Sequence, residues 1–206
     1  MTVAERERGR APGGTRDTEA FPARLLQATI DSLEAGERRV ILDLGGAQPG
    51  SLDLLSGFRC RYCIGDVLDD LMRLDARQEP VSLDAVIDEL LPASVFGNAD
   101  LVLCWQLLDY LETPVLEALG RRLRHLLASG GLIHAITEYS ASDMPDPMHP
   151  LFLDRDGAVR YASVRSGSRR PAPRHAPAEL QKRLGGLQME RAVLLGNGMQ
   201  EYLFRL

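Results

Sequence analysis

Arg39-Val40-Ile41-Leu42-Asp43-Leu44-Gly45-Gly46-Ala47-Gln48-Pro49-Gly50-Ser51 is the stretch that decides the fold. A short apolar run ends in an acidic residue, breaks into glycines, and gives way to a new amphipathic segment at Ser51. The pattern predicts a buried strand, a tight turn and a helix, the passage at which open α/β sheets bind ligands. Ser51 is the expected N-cap of that helix and Gly57 its stop.

Outward from this stretch, strand and helix signals alternate. Phe21, Leu25, Leu26, Ile30 and Leu33 have helical spacing, with Pro22 in the expected first turn and Gly36 as a stop. Phe58, Cys60, Tyr62 and Ile64 repeat with period two and predict a second strand that ends at Gly65-Asp66. A helix is expected from Val67 to about Ala76. Leu83, Val86, Ile87, Leu90 and Leu91 predict another behind Ser82, with a short strand at 81–83 as the competing reading. Ala99–Trp105 reads as a buried strand, and Thr113-Pro114 opens a helix expected to reach Ala128. Ser129-Gly130-Gly131 is read as the end of that helix, and Leu132–Thr137 as the next strand. Residues 138–176 are rich in proline, and within them a hairpin is expected around Asp154-Arg155-Asp156-Gly157. Pro177–Leu184 predicts a short helix. Gly196-Asn197-Gly198 joins two final strands. The fold class expected is therefore α/β: a Rossmann-like, doubly wound, mostly parallel sheet with a C-terminal antiparallel strand hairpin.

Composition limits the rest. The chain has 206 residues, 45% hydrophobic and 26% charged, as expected for one globular domain over 20–206, with 138–176 as a loop-rich insert or lid. Residues 1–19 balance four arginines against four acids and are expected to form a disordered tail. The sequence shows no apolar run of the roughly 18–20 residues that span a bilayer. Met1–Ala20 lacks the apolar region of a signal peptide, which predicts a cytoplasmic protein without a membrane partner. A net charge of −5 argues against broad nucleic-acid binding. Seven bases between Arg160 and Arg183, against Glu179 alone, form either a solvated loop or a surface that steers an anion.

The residues in this order resemble a class I S-adenosylmethionine-dependent methyltransferase. Five features carry the resemblance: Val40–Ala47 as the strand and glycine-rich turn, Asp66 after the second strand, Ala99–Trp105 as a central strand, Leu126–Ile133 as a helix–glycine–strand passage, and the terminal hairpin. The resemblance implies a transferase that uses S-adenosylmethionine as cofactor and a small molecule as acceptor. It implies that Asp43, Gly45, Gly46, Ala47, Asp66, Cys104 and Trp105 line the cofactor site, with Asp66 accepting from the ribose hydroxyls. Read from the residues alone, Asp43 either faces a ligand or caps its own turn. Asp66 either faces a ligand or caps the next helix, and Trp105 either walls a pocket or packs in the core.

Two departures stand out: Pro49 lacks an N–H for a ligand, and Asp84 is the only counterpart of a third strand's acid, although it falls in an expected helix. A non-catalytic chain of the same fold that binds the cofactor or a protein partner is the competing function. A nicotinamide-dependent enzyme ranks below it, because Gly-x-Gly-x-x-Gly is absent.

His149, Tyr110 and Glu138 are the candidate catalytic residues. His149 follows the last parallel strand in a proline-rich run, and Glu138 and Tyr139 complete the expected acid–base group. No metal site is expected. The four histidines have no ligand spacing, and Cys60 and Cys63, three apart in a strand, point to opposite faces.

Overall fold

The computed structural model describes residues 20–34, 38–74, 82–162, 167–173 and 175–206. The expected tail lies outside them, as do Arg165 and Arg174 of the basic segment. Strands β1 to β11 and helices α1 to α8 are numbered along the chain.

Six strands build the central sheet. Arg39–Asp43 (β2), Cys60–Ile64 (β3), Ala99–Leu103 (β4) and Leu127–Glu138 (β5) are joined by Met199–Arg205 (β11) and Gln188–Leu194 (β10). Their spatial order is β10-β11-β5-β4-β2-β3. β3, β2, β4 and β5 run parallel, whereas β11 pairs antiparallel with both β5 and β10. This is the expected Rossmann-like, mostly parallel sheet closed by an antiparallel hairpin. The order of the chain reverses between β2 and β4, so a crevice opens at the C-terminal tips of these neighbouring strands.

β2 and β4 sit in the middle of the sheet and are apolar on both faces, as buried parallel strands must be. Leu42, Val102, Ile133 and Phe204 pack beneath Leu68–Arg73 (α3), Leu83–Leu90 (α4), Thr113–Leu126 (α7) and Pro177–Arg183 (α8). On the opposite face, Ile41, Leu101 and Leu103 meet Leu26 and Ile30 of Arg24–Glu34 (α1) and Leu55 of Pro49–Ser56 (α2). Helices therefore cover both faces. The N-terminus of α1 is pinned to the sheet by Glu201 of β11, which accepts from the Leu25 and Leu26 N–H groups at 3.0 and 2.8 Å and contacts His134 Nε2 at 2.9 Å.

Several sequence expectations change in detail. Phe21–Pro22 is not the first turn of α1 but a short strand (β1) antiparallel to Ala158–Tyr161 (β8). The helix starts at Arg24, which leaves Pro22 upstream, at an edge where a missing N–H is tolerated. Ser51 does not cap α2. The helix starts two residues earlier, with Pro49 in its first turn, and the Ser51 hydroxyl donates instead to the Leu153 carbonyl at 2.8 Å. α7 ends at Leu126, and Ser129-Gly130-Gly131 lies inside β5, whose pairing with β4 shifts register there.

Residues 83–90 are helical, so Asp84 is no strand-end acid. Its carboxylate binds Arg121, with Nε at 3.0 Å and Nη2 at 3.1 Å. Ala93–Phe96 (α5) and Leu107–Tyr110 (α6) are further short helices.

The expected hairpin forms from Leu151–Leu153 (β7) and β8, and it docks on the start of α2. A Cβ on Gly50 would come within 2.4 Å of Asp154 Oδ1 and 3.0 Å of Asp154 Cα. Gly50→Ala should therefore lift the hairpin from α2 and lower stability by about 1–3 kcal/mol, the usual penalty of overpacking; urea unfolding measures it. Asp143–Asp146 (β6) pairs with Ser168–Pro171 (β9), a ribbon the sequence did not announce. Among the described residues no helix is long and apolar enough to cross a membrane.

Candidate functional site

The tips of β2, β3 and β4 are tied together by the backbone. Gly65 N–H donates to Asp43 O at 2.7 Å, Asp66 N–H to Gly45 O at 3.1 Å, and Leu44 N–H to Leu103 O at 3.1 Å. This brings Asp43, Gly45, Gly46, Asp66 and Trp105 to one place at the switch point. Asp66 and Trp105 are two of the three non-glycine residues with positive φ among the described ones, both at 51°. Bulky residues rarely hold that conformation, and strained backbone collects at functional sites.

Asp43 is inside. The side chain is 2% exposed, and both oxygens are occupied. Oδ1 accepts from Gly45 N–H at 2.7 Å and from Trp105 Nε1–H at 2.6 Å, and Oδ2 accepts from the Tyr62 hydroxyl at 2.5 Å. Burial drives its pKa from 3.8 up to about 6, against the opposing pull of the bonds from Tyr62, Trp105 and Gly45. The Tyr62 hydroxyl is pushed up by burial and by the neighbouring Asp43 carboxylate. The indole lies against the turn: a Cβ on Gly45 would sit 3.1 Å from Trp105 Nε1.

Asp66 is the opposite case. It is exposed, and it stands over the glycine turn so closely that a Cβ on Gly46 would be 2.9 Å from Asp66 Oδ1. It does not cap α3, since Val67 holds the cap position and no side-chain cap bond is made. Ala47 is exposed beside it. Cys104 has no exposure and packs in the core under α7, where burial pushes its thiol up.

Compared with known proteins, the chain matches no family model and no curated protein. Solved structures similar to it include methyltransferases and a pyocyanin-biosynthetic protein. One is 1,6-didemethyltoxoflavin-N1-methyltransferase of Burkholderia thailandensis, with bound 1,6-didemethyltoxoflavin and S-adenosylhomocysteine. It is 14% identical over 88% of this chain and 76% of that one, with a TM-score of 0.49. The pyocyanin biosynthetic protein PhzM is 20% identical over 89% of this chain, with a TM-score of 0.46, and the chain spans 55% of its length. The glycopeptide N-methyltransferase MtfA is 11% identical over 86% of this chain and 93% of that one, with a TM-score of 0.45.

Of the expected acid–base residues, Glu138 lies close to Tyr110, whose hydroxyl is pushed upward by burial first, then by Asp109 and Glu138. His149 is 5% exposed, and its ring meets Tyr161 of β8 edge-on at 6.1 Å. Tyr110 donates to the Pro145 carbonyl at 2.8 Å beneath the Arg170 guanidinium, 5.7 Å from the ring centre. Glu138 and Tyr139, at the end of β5, share a cavity of about 520 Å³ with Thr137, Gln200 and His175.

No local motif in the sequence marks His175. Its partner, Asp109, comes from α6, 66 positions earlier in the chain. Asp109 is 3% exposed, accepts from Glu138 N–H at 2.7 Å through Oδ2, and turns Oδ1 toward His175 Nε2 at 3.4 Å. Burial pushes its carboxyl upward, against the pull of His175 and the Glu138 N–H. Among the described residues no group of three or more His, Cys, Asp or Glu side chains could hold a metal ion, and Cys60, Cys63 and Cys104 are free thiols.

Proposed function

We propose that the protein is an S-adenosylmethionine-dependent methyltransferase with a small-molecule acceptor. The observation that carries this reading is the exposed Asp66 carboxylate. It is held at a strained backbone position on the tip of β3, over the glycine turn of β2 and at the switch point of the sheet. A carboxylate there can accept from both hydroxyls of a ribose, and the absent side chains of Gly45 and Gly46 let a ligand lie against the backbone. When bound, adenosylmethionine supplies a methyl group already activated by its sulfonium, so the protein's main task is to position the acceptor and manage its proton.

Asp66 and the backbone of Gly45 and Gly46 are the groups that fit this cofactor. Asp43 fits it only in part, because each of its oxygens already accepts from Trp105, Tyr62 or Gly45. Its role here is to hold the turn and the strand tips together.

Calorimetry with adenosylmethionine and adenosylhomocysteine tests the reading. Saturable binding is expected, and no heat from either at millimolar concentration would overturn it. Asp66→Ala should weaken binding by about 1–3 kcal/mol, the scale of hydrogen bonds to a charged acceptor. An unchanged affinity would remove Asp66 from the site.

The saturated Asp43 and the approach of Asp154 to Gly50 favour a second reading, a chain of this fold that binds without catalysis. Trp105 is the only tryptophan, so its fluorescence reports on this site. Binding that alters the emission but gives no turnover over a broad panel of acceptors would favour the second reading.

A further inference from the structure

Two carboxylates stand over the glycine turn, one at each end. Asp66 leans over Gly46, where a Cβ would meet its Oδ1 at 2.9 Å. Asp154, from the tip of the β7–β8 hairpin, leans over Gly50, where a Cβ would meet its Oδ1 at 2.4 Å. The four steps of chain from Gly46 to Gly50 reach at most about 14 Å. A ligand seated on that backbone therefore lies between the two acids.

Asp154 is fixed in place from several sides. The Ser51 hydroxyl donates to the Leu153 carbonyl at 2.8 Å, which ties α2 to the hairpin one residue before Asp154. Asp154 Oδ1 accepts from the Arg155 N–H at 2.8 Å and is the oxygen turned toward Gly50. Oδ2 accepts from Arg160 Nε at 2.5 Å, and the same guanidinium holds Asp156 Oδ2 at 2.5 Å. One guanidinium thus serves two carboxylates, and the group keeps one net negative charge.

The other guanidiniums near the turn are engaged as well. Arg155 contacts Asp53 at 3.1 Å, and Arg73, at the end of α3, contacts Asp70 at 3.7 Å. Asp66 has no ion pair among the described residues. Around the turn, negative charge is left without a counterion of its own.

We propose that Asp154 makes this site selective for charge: it favours a ligand that carries a cation next to the ribose, and so favours adenosylmethionine over adenosylhomocysteine. This rests on the methyltransferase reading above. The two molecules differ by one methyl group and by the positive charge of the sulfonium. That sulfur is bonded to the 5′ carbon of the ribose that Asp66 would hold, so its charge lies close to the turn. A unit charge pair several ångströms apart at a partly exposed site changes affinity by about tenfold. Asp154 acts on the ligand through charge and is a specificity-determining residue. Once the methyl carbon has passed to an acceptor, its bonding pair stays on sulfur and the charge is gone. The product is then held less tightly than the fresh donor that replaces it.

Calorimetry on the full chain at pH 7, in about 50 mM salt where screening is weak, gives Kd for both ligands. The wild type is expected to bind adenosylmethionine about tenfold more tightly than adenosylhomocysteine. Asp154→Asn keeps an oxygen for the Arg155 N–H and removes the charge. It should narrow the ratio to within about threefold, chiefly by weakening adenosylmethionine. Asp156→Asn reaches the same charge by another route, because it leaves Arg160 to Asp154 alone, and should narrow the ratio part of the way. Raising the salt to about 0.5 M should narrow the wild-type ratio too.

Adenosylhomocysteine bound by the wild type as tightly as adenosylmethionine would overturn the proposal. So would a ratio that neither asparagine variant changes. An equal loss for both ligands in Asp154→Asn would make the residue structural, and would overturn it too. Absence of binding by either ligand to the wild type strikes the methyltransferase reading instead, and the proposal with it. Urea unfolding checks that each variant is folded, and if Asp154→Asn is not, Asp156→Asn and the salt series decide the question.

Discussion

Asp43→Ala is expected to destabilise the protein by about 3 kcal/mol at pH 7, whereas Asp43→Asn should change stability by less than about 1 kcal/mol at pH 4, where the folded wild-type carboxyl is largely protonated. The alanine leaves the Trp105 indole N–H and the Gly45 N–H without an acceptor, and takes away the partner of the partly buried Tyr62 hydroxyl. Each buried donor left unmet costs about 1–3 kcal/mol, offset in part by relief of the buried charge. An asparagine can keep the carbonyl facing Trp105 and Gly45 and donate its amide to the Tyr62 oxygen.

The two variants also separate by pH. Because burial raises the Asp43 pKa from 3.8 to about 6, the folded state binds this proton more tightly than the unfolded state. The stabilisation is complete below pH 3.8 and is lost as pH rises through about 6. Across that window the wild type should lose about 3 kcal/mol relative to Asp43→Asn. Urea unfolding of both proteins at pH 4 and pH 7 measures the difference, and parallel curves would show that Asp43 is not buried as a carboxylate.

Glu201→Ala should have an effect as large, about 3–5 kcal/mol. Glu201 is fully buried, receives the Leu25 and Leu26 N–H groups at the start of α1, and contacts His134, which has no exposure. Truncation leaves two amides without their acceptor, and a buried imidazole without its carboxylate, at the junction of α1 with the sheet. Glu201→Gln keeps one oxygen as an acceptor and should cost about 1–2 kcal/mol.

Here the pH dependence runs the other way. Burial raises the Glu201 pKa, but the bonds from His134, Leu25 and Leu26 outweigh it and hold the group below 4.5. Its contribution is present above pH 4.5 and is lost as pH falls through the folded value. Thermal melting between pH 3 and pH 7 should therefore show Glu201→Gln as the variant with the weaker acid sensitivity. If α1 were held mainly by its apolar face, Glu201→Ala would melt within about 2 °C of wild type.

Much of this architecture can be read in the chain, because burial imposes a pattern on neighbours. The central strands are apolar without interruption at Ile41-Leu42 and Leu101-Val102-Leu103, and Asp156-Gly157 and Asn197-Gly198 announce the two hairpins. The errors fall where a residue obeys two local rules at once. Pro22 suits a helix start and a strand edge equally, and Ser51 suits a cap as well as a bond to a distant carbonyl. Ser129-Gly130-Gly131 looks like a helix stop, yet an irregular parallel pairing absorbs it. β6 and β9 were not legible because their partners lie outside any short window and carry no alternation.

The candidate site divides in the same way. The sequence by itself determined the strand–turn–helix at Val40–Ser51, the acid at the end of the second strand and the antiparallel ending, since each depends on residues within one turn or one hairpin. Only the tertiary structure decided what those residues face. Tyr62 of β3 and Trp105, two residues past the end of β4, close over Asp43, and Asp66 is left open to solvent. His175 meets Asp109 only after the chain has folded back across the tips of β4 and β5. A side chain's period fixes which face of its element it occupies, but its partner is set by strand order and by loops whose paths depend on the whole packed sheet.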